Sequence, residues 1–237
     1  MNSQNGLKLR QQRIHTVMSK QSIGLLIALL ALSSNAQANL IIGGGFESPD
    51  ISNCGDVTSN NGGRSCSSRW NYFAAEQGHS WGGDNIEIWK TGFNGVGSHS
   101  GVQHGELNSH PNHGGSFSIF QEFETVENQE YTVSFAYRAR KNNKEKFRFE
   151  LFTAGSTMFN TVQKDHVKGS WSLFSNTFVG TGDTTTLQFT SMKPKSGTVG
   201  NFIDSVSVTA NVPEPGILSL MACGLVGCII TRKKIAA

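Results

Sequence analysis

Period-two alternation of apolar and polar side chains is the feature of this sequence that most limits its fold. From Tyr131 onward, aromatic and aliphatic residues alternate with Thr, Ser, Ala and two arginines, Arg138 and Arg140. Because successive side chains of a strand point to opposite faces of a sheet, this pattern predicts a strand with one buried face and both arginines on the other. The alternation recurs in segments 117–123, 147–151, 187–189 and 202–208.

The composition between Asn39 and Ala210 agrees with an all-β fold. The chain contains 27 Gly and 15 Phe, and polar, Gly-rich turns separate about nine short predicted strands, with no long amphipathic helix between them. We therefore predict a two-sheet antiparallel jelly-roll sandwich over residues 39–210. In its last strand, we expect Phe202, Asp204 and the two valines that follow to share the apolar face.

The N-terminal segment has the pattern of a signal peptide. A ten-residue apolar run, Ile23 to Leu32, follows a basic region and is too short to span a bilayer. After it, Ala36 and Ala38 form a small-x-small cleavage site. We expect residues 1–38 to direct the chain to the export machinery, with translation starting at Met1 or at Met18. The alternative for the apolar run is a buried core helix.

The C-terminal segment, 211–237, has three parts in a fixed order. They are the motif Pro213, Glu214 and Pro215, an apolar stretch predicted as a helix over 217–230, and the basic residues Arg232, Lys233 and Lys234. At about 1.5 Å per residue such a helix is roughly 21 Å long, shorter than the roughly 30 Å hydrocarbon core of a bilayer. The basic cluster favours a cytoplasmic C-terminus, which leaves the domain outside the membrane.

This order of motif, apolar helix and basic end resembles the PEP-CTERM sorting signal, and here it is paired with a signal peptide. The resemblance implies a precursor anchored in the inner membrane of a Gram-negative bacterium that makes extracellular polysaccharide. It also implies processing by an exosortase and a final location at the cell surface or in the extracellular matrix. The alternative is a permanent single-span anchor.

The segment between the two ends resembles galactose-binding-like carbohydrate-binding modules. Its opening residues 39–47 and its last residues 200–208 are similar to the "N-G-x-F-E" and "x-D-x-V-x-V" patterns that recur in those modules. The resemblance spans most of residues 39–210. It implies a β-sandwich whose ligand is a carbohydrate, and the sorting tail suggests the cell's own exopolysaccharide as that ligand.

Two carboxylates are candidates for a structural calcium site, because such modules often bind calcium near the corresponding positions. Asp204 is expected on the apolar face of the last strand, where an unpaired charge is costly. Glu47 ends the opening segment and becomes its neighbour if the first and last strands pair. With backbone carbonyls, the two would supply the hard oxygen ligands that Ca²⁺ prefers. Alternatively, backbone N–H groups or a basic side chain satisfy both carboxylates.

Sugar binding generally uses an aromatic surface beside polar groups that form paired hydrogen bonds. The candidates with this chemistry are Trp81, Glu87, Trp89, Glu106, Asn108, Arg138 and Arg140. Each also has an ordinary interpretation. Trp89 ends an alternating strand, and a tryptophan in that position more often belongs to the core than to a binding surface. Exposed arginines usually face solvent.

The cysteines divide into two pairs. Cys54 and Cys66 lie in a Gly-, Ser- and Asn-rich segment of the exported domain, where oxidising conditions favour a disulfide that would stabilise the fold by about 3 kcal/mol. A metal site is less favoured there, because the spacing is not C-x-x-C and no His lies between them. Cys223 and Cys228 lie in the predicted tail helix.

Four histidines between residues 99 and 113 offer Zn²⁺ or Cu²⁺ ligands, although the polar segment around them does not favour a preformed site.

Charge and motifs argue against other classes of protein. Seven of the 20 basic residues and one of the 17 acidic residues lie in the two end segments, so residues 39–210 carry 13 basic and 16 acidic residues, a net charge of −3. That balance argues against a nucleic-acid partner. G-x-S-x-G, H-E-x-x-H and P-loop motifs are absent from the sequence.

The leading hypothesis is a non-catalytic carbohydrate-binding protein; the alternatives are a structural or assembly protein and, less favoured, a glycan hydrolase that uses two carboxylates.

Overall fold

The computed structural model describes residues 38–52, 69–76, 79–111 and 114–211. These ranges form eleven strands: β1 Trp70–Phe73, β2 Gly82–Gly83, β3 Ile86–Lys90, β4 Gln103–Glu106, β5 Ser118–Glu124, β6 Glu130–Arg138, β7 Lys146–Thr153, β8 Ser156–Gln163, β9 Ser172–Val179, β10 Thr184–Lys193 and β11 Phe202–Ala210. No helix long and apolar enough to cross a membrane occurs in them. The predicted cleavage-site residue Ala36, the cysteines Cys54 and Cys66, and the sorting tail from Pro213 to Lys234 lie outside the described residues.

The strands form two antiparallel sheets. The six-stranded sheet has the order β1-β3-β4-β11-β6-β9, and the five-stranded sheet has the order β2-β5-β10-β7-β8. Every strand pair in both sheets is antiparallel. The prediction of an all-β, two-sheet sandwich is therefore confirmed, with eleven strands in the described residues instead of about nine.

Aromatic rings fill the main core between the sheets. Phe135 of β6 lies 5.0 Å, between ring centroids, from both Phe149 of β7 and Phe189 of β10. It also stacks on Phe174 of β9 at 4.7 Å. Such pairs add about 0.5–1.5 kcal/mol each to the burial of their surface. The high phenylalanine content therefore follows from a core in which alternating positions of facing strands meet.

The opening segment, residues 39–47, is irregular, yet it is hydrogen-bonded to the last strand. The Leu40 amide donates to the Val208 carbonyl oxygen at 2.8 Å, and the Val206 amide donates to the Gly44 carbonyl oxygen at 2.8 Å. The first and last segments of the domain are thus neighbours, as the calcium prediction required, although the opening segment is not a regular strand.

A β-bulge in β11 changes which of its residues share a face. The register between β11 and β6 shifts between Asp204 and Ser207, and Ser205 has a φ of 53° in the left-handed region. A bulge adds one residue to a strand, so side chains before and after it reach opposite faces. Phe202 belongs to a separate aromatic cluster outside the main core, whereas the valines after Ser205 lie between the sheets. The prediction that these residues share one face was wrong for this reason.

Gly44 leaves no room for a side chain where the opening segment meets β11. A Cβ atom added there would overlap the carbonyl oxygen of Val206, which is a backbone atom. We expect Gly44→Ala to lower the free energy of unfolding by about 1–3 kcal/mol, the usual cost of overpacking. Chemical denaturation measures this. Gly45→Ala is the matched control, because its Cβ would meet Glu47 Cγ at an ordinary 3.8 Å; equal losses in both variants would contradict this account.

Candidate functional site

The outer face of the six-stranded sheet, which is turned away from the main core, carries a second aromatic cluster. Trp89 of β3 and Phe202 of β11 are buried there with their ring centroids 5.0 Å apart. Trp70, Phe93 and Trp171 pack against this pair and are only partly buried. This outer face therefore has a buried aromatic centre surrounded by accessible rings.

A buried ion pair lies beside this centre. Arg140 Nη1 donates to both carboxylate oxygens of the fully buried Glu106, at 2.6 and 2.7 Å, and the Gly200 amide donates to Oε1 at 2.6 Å. Arg140 also lies over Trp89, with Cζ 4.4 Å from the ring centroid. Its Nη1 reaches the carbonyl oxygen of Thr198 at 2.9 Å. Arg140 thus connects the sheet to the loop that precedes β11.

A second buried carboxylate, Glu87, lies opposite Glu106 in the β3–β4 ladder. Trp89 Nε1 donates to Glu87 Oε1 at 2.7 Å, and His110 Nδ1 lies 2.9 Å from Oε2. Burial raises the pKa of Glu87, and the hydrogen bonds from His110 and Trp89 oppose that shift. Burial and the neighbouring Glu87 charge raise the pKa of Glu106 well above its usual range, while Arg140 opposes the shift.

The two carboxylates do not support the hydrolase hypothesis. A glycosidase needs two carboxyl groups that both reach the scissile bond. Glu106 has no exposed surface, and its oxygens accept hydrogen bonds from Arg140 and Gly200. Glu87 and Glu106 therefore hold the sheet and its loops together and do not present two carboxyl groups to a substrate.

Three rings form an accessible surface next to Glu87. The ring centroid of His110 lies 4.9 Å from Trp70 and 6.0 Å from Tyr72, both in β1. The His110 side chain is 40% exposed, and Trp70 and Tyr72 are half-buried. This Trp70–Tyr72–His110 platform offers flat apolar faces together with polar atoms, which is the combination that sugar sites use.

The structure brings most of the predicted sugar-binding residues to one face. Glu87, Trp89, Glu106, Arg138 and Arg140 lie on the outer face, and the expected placement of both arginines is confirmed. Most of them are covered, however. Only the arginines keep partly exposed side chains, and burial lowers the pKa of Arg138.

Asn108 is buried too, and its Nδ2 donates at 3.4 Å to the carbonyl oxygen of Pro194, which follows β10 of the other sheet. Trp81 lies elsewhere. It is fully buried in the main core and stacks on Phe46 at 5.5 Å. Its assignment to a sugar-binding surface is corrected for this reason. Trp89 is buried as well, so it supports Arg140 and is not an exposed stacking surface.

Trp70 and Tyr72 were not among the predicted site residues, and His110 was singled out only as one of four candidate metal-ligating histidines. The signal that points to the two aromatic residues is the alternation Trp70-Asn71-Tyr72-Phe73, which is only four residues long. His104, another of the four histidines, is buried between Trp171 and Phe202, and burial lowers its pKa to about 3.

The two predicted calcium ligands hold one loop. Asp204 Oδ2 accepts from the amides of residues 99 and 100 at 2.8 and 3.1 Å, and Glu47 Oε1 accepts from the amides of residues 102 and 103 at 2.8 and 3.1 Å. These bonds match the alternative in which backbone N–H groups satisfy both carboxylates. Within the described ranges, no group of three or more His, Cys, Asp or Glu side chains is placed to hold a metal ion. Calcium binding at Glu47 and Asp204 stays a prediction.

No protein-family model and no curated protein matches the chain. Among solved structures, a family 61 carbohydrate-binding module in complex with β-1,4-galactotriose is similar at 16% identity and a TM-score of 0.43, over 73% of this chain and 99% of that one.

The enzymatically active domain of tailspike protein 4 of bacteriophage CBA120 is similar at 15% identity and a TM-score of 0.42, over 73% of this chain and 21% of that one. The CBM22-1 xylan-binding domain of Paenibacillus barcinonensis Xyn10C is similar at 10% identity and a TM-score of 0.37, over 58% of this chain and 88% of that one. Similarities at these values carry no argument about the ligand of this chain.

Removing Arg140 would leave the buried Glu106 carboxylate without its cation. We expect Arg140→Ala to lower the free energy of unfolding by about 3–5 kcal/mol at pH 7, measured by urea denaturation. Adding Glu106→Gln should recover part of that loss, because the amide needs no counter-charge. Arg148→Ala, at a half-buried arginine of β7 in the other sheet, is the control, and we expect a loss of about 1 kcal/mol or less. Equal losses for Arg140→Ala and Arg148→Ala would refute the role of the ion pair.

Asp204→Ala would leave the amides of residues 99, 100 and 205 without their acceptor. A buried donor without a partner costs about 1–3 kcal/mol, so we expect a loss of about 2–4 kcal/mol. The exposed Asp183→Ala is the control, with an expected change within about 0.5 kcal/mol.

The stability of the wild type relative to Asp204→Ala should also depend on pH. Burial raises the pKa of Asp204 from 3.8 to about 6 in the folded protein. The folded state therefore binds this proton more tightly than the unfolded state. The advantage of the wild type should be largest below about pH 4 and should narrow as the pH rises to about 6. A constant difference across that range would show that the carboxyl group is not shifted in this way.

Proposed function

We propose that this protein is an exported, non-catalytic protein that binds carbohydrate on the outer face of its six-stranded sheet. The Trp70–Tyr72–His110 platform carries the proposal, because its three rings are adjacent and each is partly exposed. The C–H faces of a sugar ring stack on such aromatic surfaces, and its hydroxyl groups take hydrogen bonds at the edge.

The buried residues of this face give the platform a fixed shape. Glu87 binds His110 Nδ1 and so sets the orientation of the imidazole. Arg138 lies half-buried on the same face and supplies further N–H donors. A surface whose side chains are already held in place loses little conformational entropy when it binds, which favours affinity.

The cellular setting of the proposal comes from the two ends of the sequence. Residues 1–38 would direct export, and residues 211–237 would hold the precursor in the inner membrane until an exosortase processes it. The protein would then act at the cell surface or in the matrix, with the cell's exopolysaccharide as its ligand. A structural calcium at Glu47 and Asp204 would further fix the loop of residues 99–103, because both carboxylates already bind its amides.

A structural or assembly role is the second candidate, and one observation favours it. Strand β9 is an edge strand of the six-stranded sheet, with Leu173 70% exposed and Val179 54% exposed. Edge strands with apolar side chains can pair with another chain. Such a protein would associate with itself or with other surface proteins without a sugar ligand.

Binding of the purified full chain to an immobilised glycan panel tests the carbohydrate proposal. We expect at least one glycan to bind, and Trp70→Ala or Tyr72→Ala to weaken that binding about tenfold or more, because each removes a stacking face. Phe120→Ala is the matched control, since Phe120 is a half-buried aromatic residue of the other sheet and should leave binding unchanged.

The same panel with Ca²⁺ and with a chelator tests the metal. Loss of binding in chelator supports the calcium site, whereas unchanged binding keeps the carbohydrate proposal and discards the metal. A folded sample that binds no glycan and self-associates would contradict the carbohydrate proposal in favour of the structural role.

A further inference from the structure

Charge is distributed unevenly along the strands. Ten of the 13 basic residues between residues 39 and 210 fall in three short segments, 138–148, 164–168 and 193–195. Strands β6, β8 and β10 each end at one of these basic segments, and β7 starts in the first of them. The three basic segments therefore lie at the same end of the sandwich. The acidic residues of segment 122–130 lie at the opposite end, where β5 ends and β6 begins. Nine residues of β6 separate the two ends by roughly 30 Å.

Hydrogen bonds and strand pairing bring the basic segments together. Lys146 and Lys193 are direct partners in the ladder between β7 and β10. The Lys168 amide donates to Asn143 Oδ1 at 2.8 Å, and Lys168 also forms a bridge with Ala139. Lysines far apart in the sequence therefore form one surface, which we call the basic end: Lys141, Lys144, Lys146, Lys164, Lys168, Lys193 and Lys195.

The acidic side chains of this end are engaged elsewhere. Glu145 is buried and accepts from three backbone amides of its own loop at 2.6–3.0 Å. Asp165 accepts from the Tyr137 hydroxyl at 2.6 Å, and Glu106 is paired with Arg140. No lysine takes part in an ion pair within the described part of the chain. The seven lysines outnumber the acidic side chains of this end, so the basic end carries an excess of positive charge.

A surface cleft of about 380 Å³ opens at the basic end, between the loop of residues 141–145 and the loop of residues 193–199. Lys141 and Lys193, both exposed, line it together with Thr198 and with the buried Glu145, whose carboxylate oxygens accept from amides of its own loop. Its volume lies within the range of small-ligand sites. The Thr198 carbonyl oxygen also accepts from Arg140 of the outer face, so the cleft continues directly from that face.

We propose that this cleft binds a carboxylate-bearing sugar residue, such as a uronic acid, of a polysaccharide chain that continues onto the outer face. The inference rests on the proposed function and names the class of glycan. Lysine ammonium groups are compact cations with three donors each, which suits a carboxylate on a flexible chain. A neutral polymer could accept hydrogen bonds from these lysines but would gain no charge–charge attraction. Attraction between exposed charges also weakens as salt is added.

The test compares an acidic polymer with its neutral methyl ester, which has the same backbone, using the purified full chain. The probes are polygalacturonate and fully methyl-esterified polygalacturonate, each titrated at 50 and 500 mM NaCl. We expect polygalacturonate to bind at least tenfold more tightly at low salt, with the preference lost at high salt. The double variant Lys141→Gln/Lys193→Gln should also lose the preference, while its binding to neutral glycans stays unchanged. Lys90→Gln, at an exposed lysine at the end of β3, is the matched control and should keep the preference.

Each other outcome contradicts a defined part of the account. Equal affinity for the two polymers, with neutral glycans still bound, would overturn the acidic subsite and leave the proposed function standing. A folded chain that binds no glycan would overturn both. If the double variant instead abolishes self-association in sedimentation experiments, the partner of the basic end is the acidic end of a second copy. If duplex DNA competes for the lysines more strongly than polygalacturonate does, the partner is a nucleic acid; either result would refute the proposal.

Discussion

A carboxylate buried in a sheet needs a compensating charge, and Glu106 imposes this requirement on the six-stranded sheet. Arg140 meets it, and to do so it lies over Trp89 and reaches the carbonyl oxygen of Thr198. One guanidinium group thus fixes the segment after β6, the buried aromatic centre of the outer face and the loop before β11. The aromatic platform and the lysine-lined cleft both border on these fixed parts.

Alternation predicted the strands well wherever a long strand has one fully buried face. In β6 it identified the core residues and placed Arg138 on the other face, because nine consecutive residues follow one period. It failed at Ser205, since a bulge adds a residue without changing the apolar character of the sequence around it. Local pattern specifies which residues share a face only as long as the period is unbroken.

The candidate site was harder to predict, because burial of the outer face depends on contacts between distant segments. Trp89 has the sequence context of either a core residue or a platform residue, and its burial follows from Arg140 and Phe93, which lie over it. Trp81 lies in the main core through its stacking on Phe46. The accessible rings instead come from β1, whose four residues give too short a pattern to stand out from a loop.

The most direct test of binding at the outer face is to locate the bound glycan by amide chemical shifts in ¹⁵N-labelled full chain. Oligosaccharides of the glycan that binds best in the panel would serve as the ligand. The account predicts shifts in residues 70–72 and 110, in 138–141, and in 198–200. Shifts confined to the five-stranded sheet, in residues 118–124 and 184–190, would contradict it.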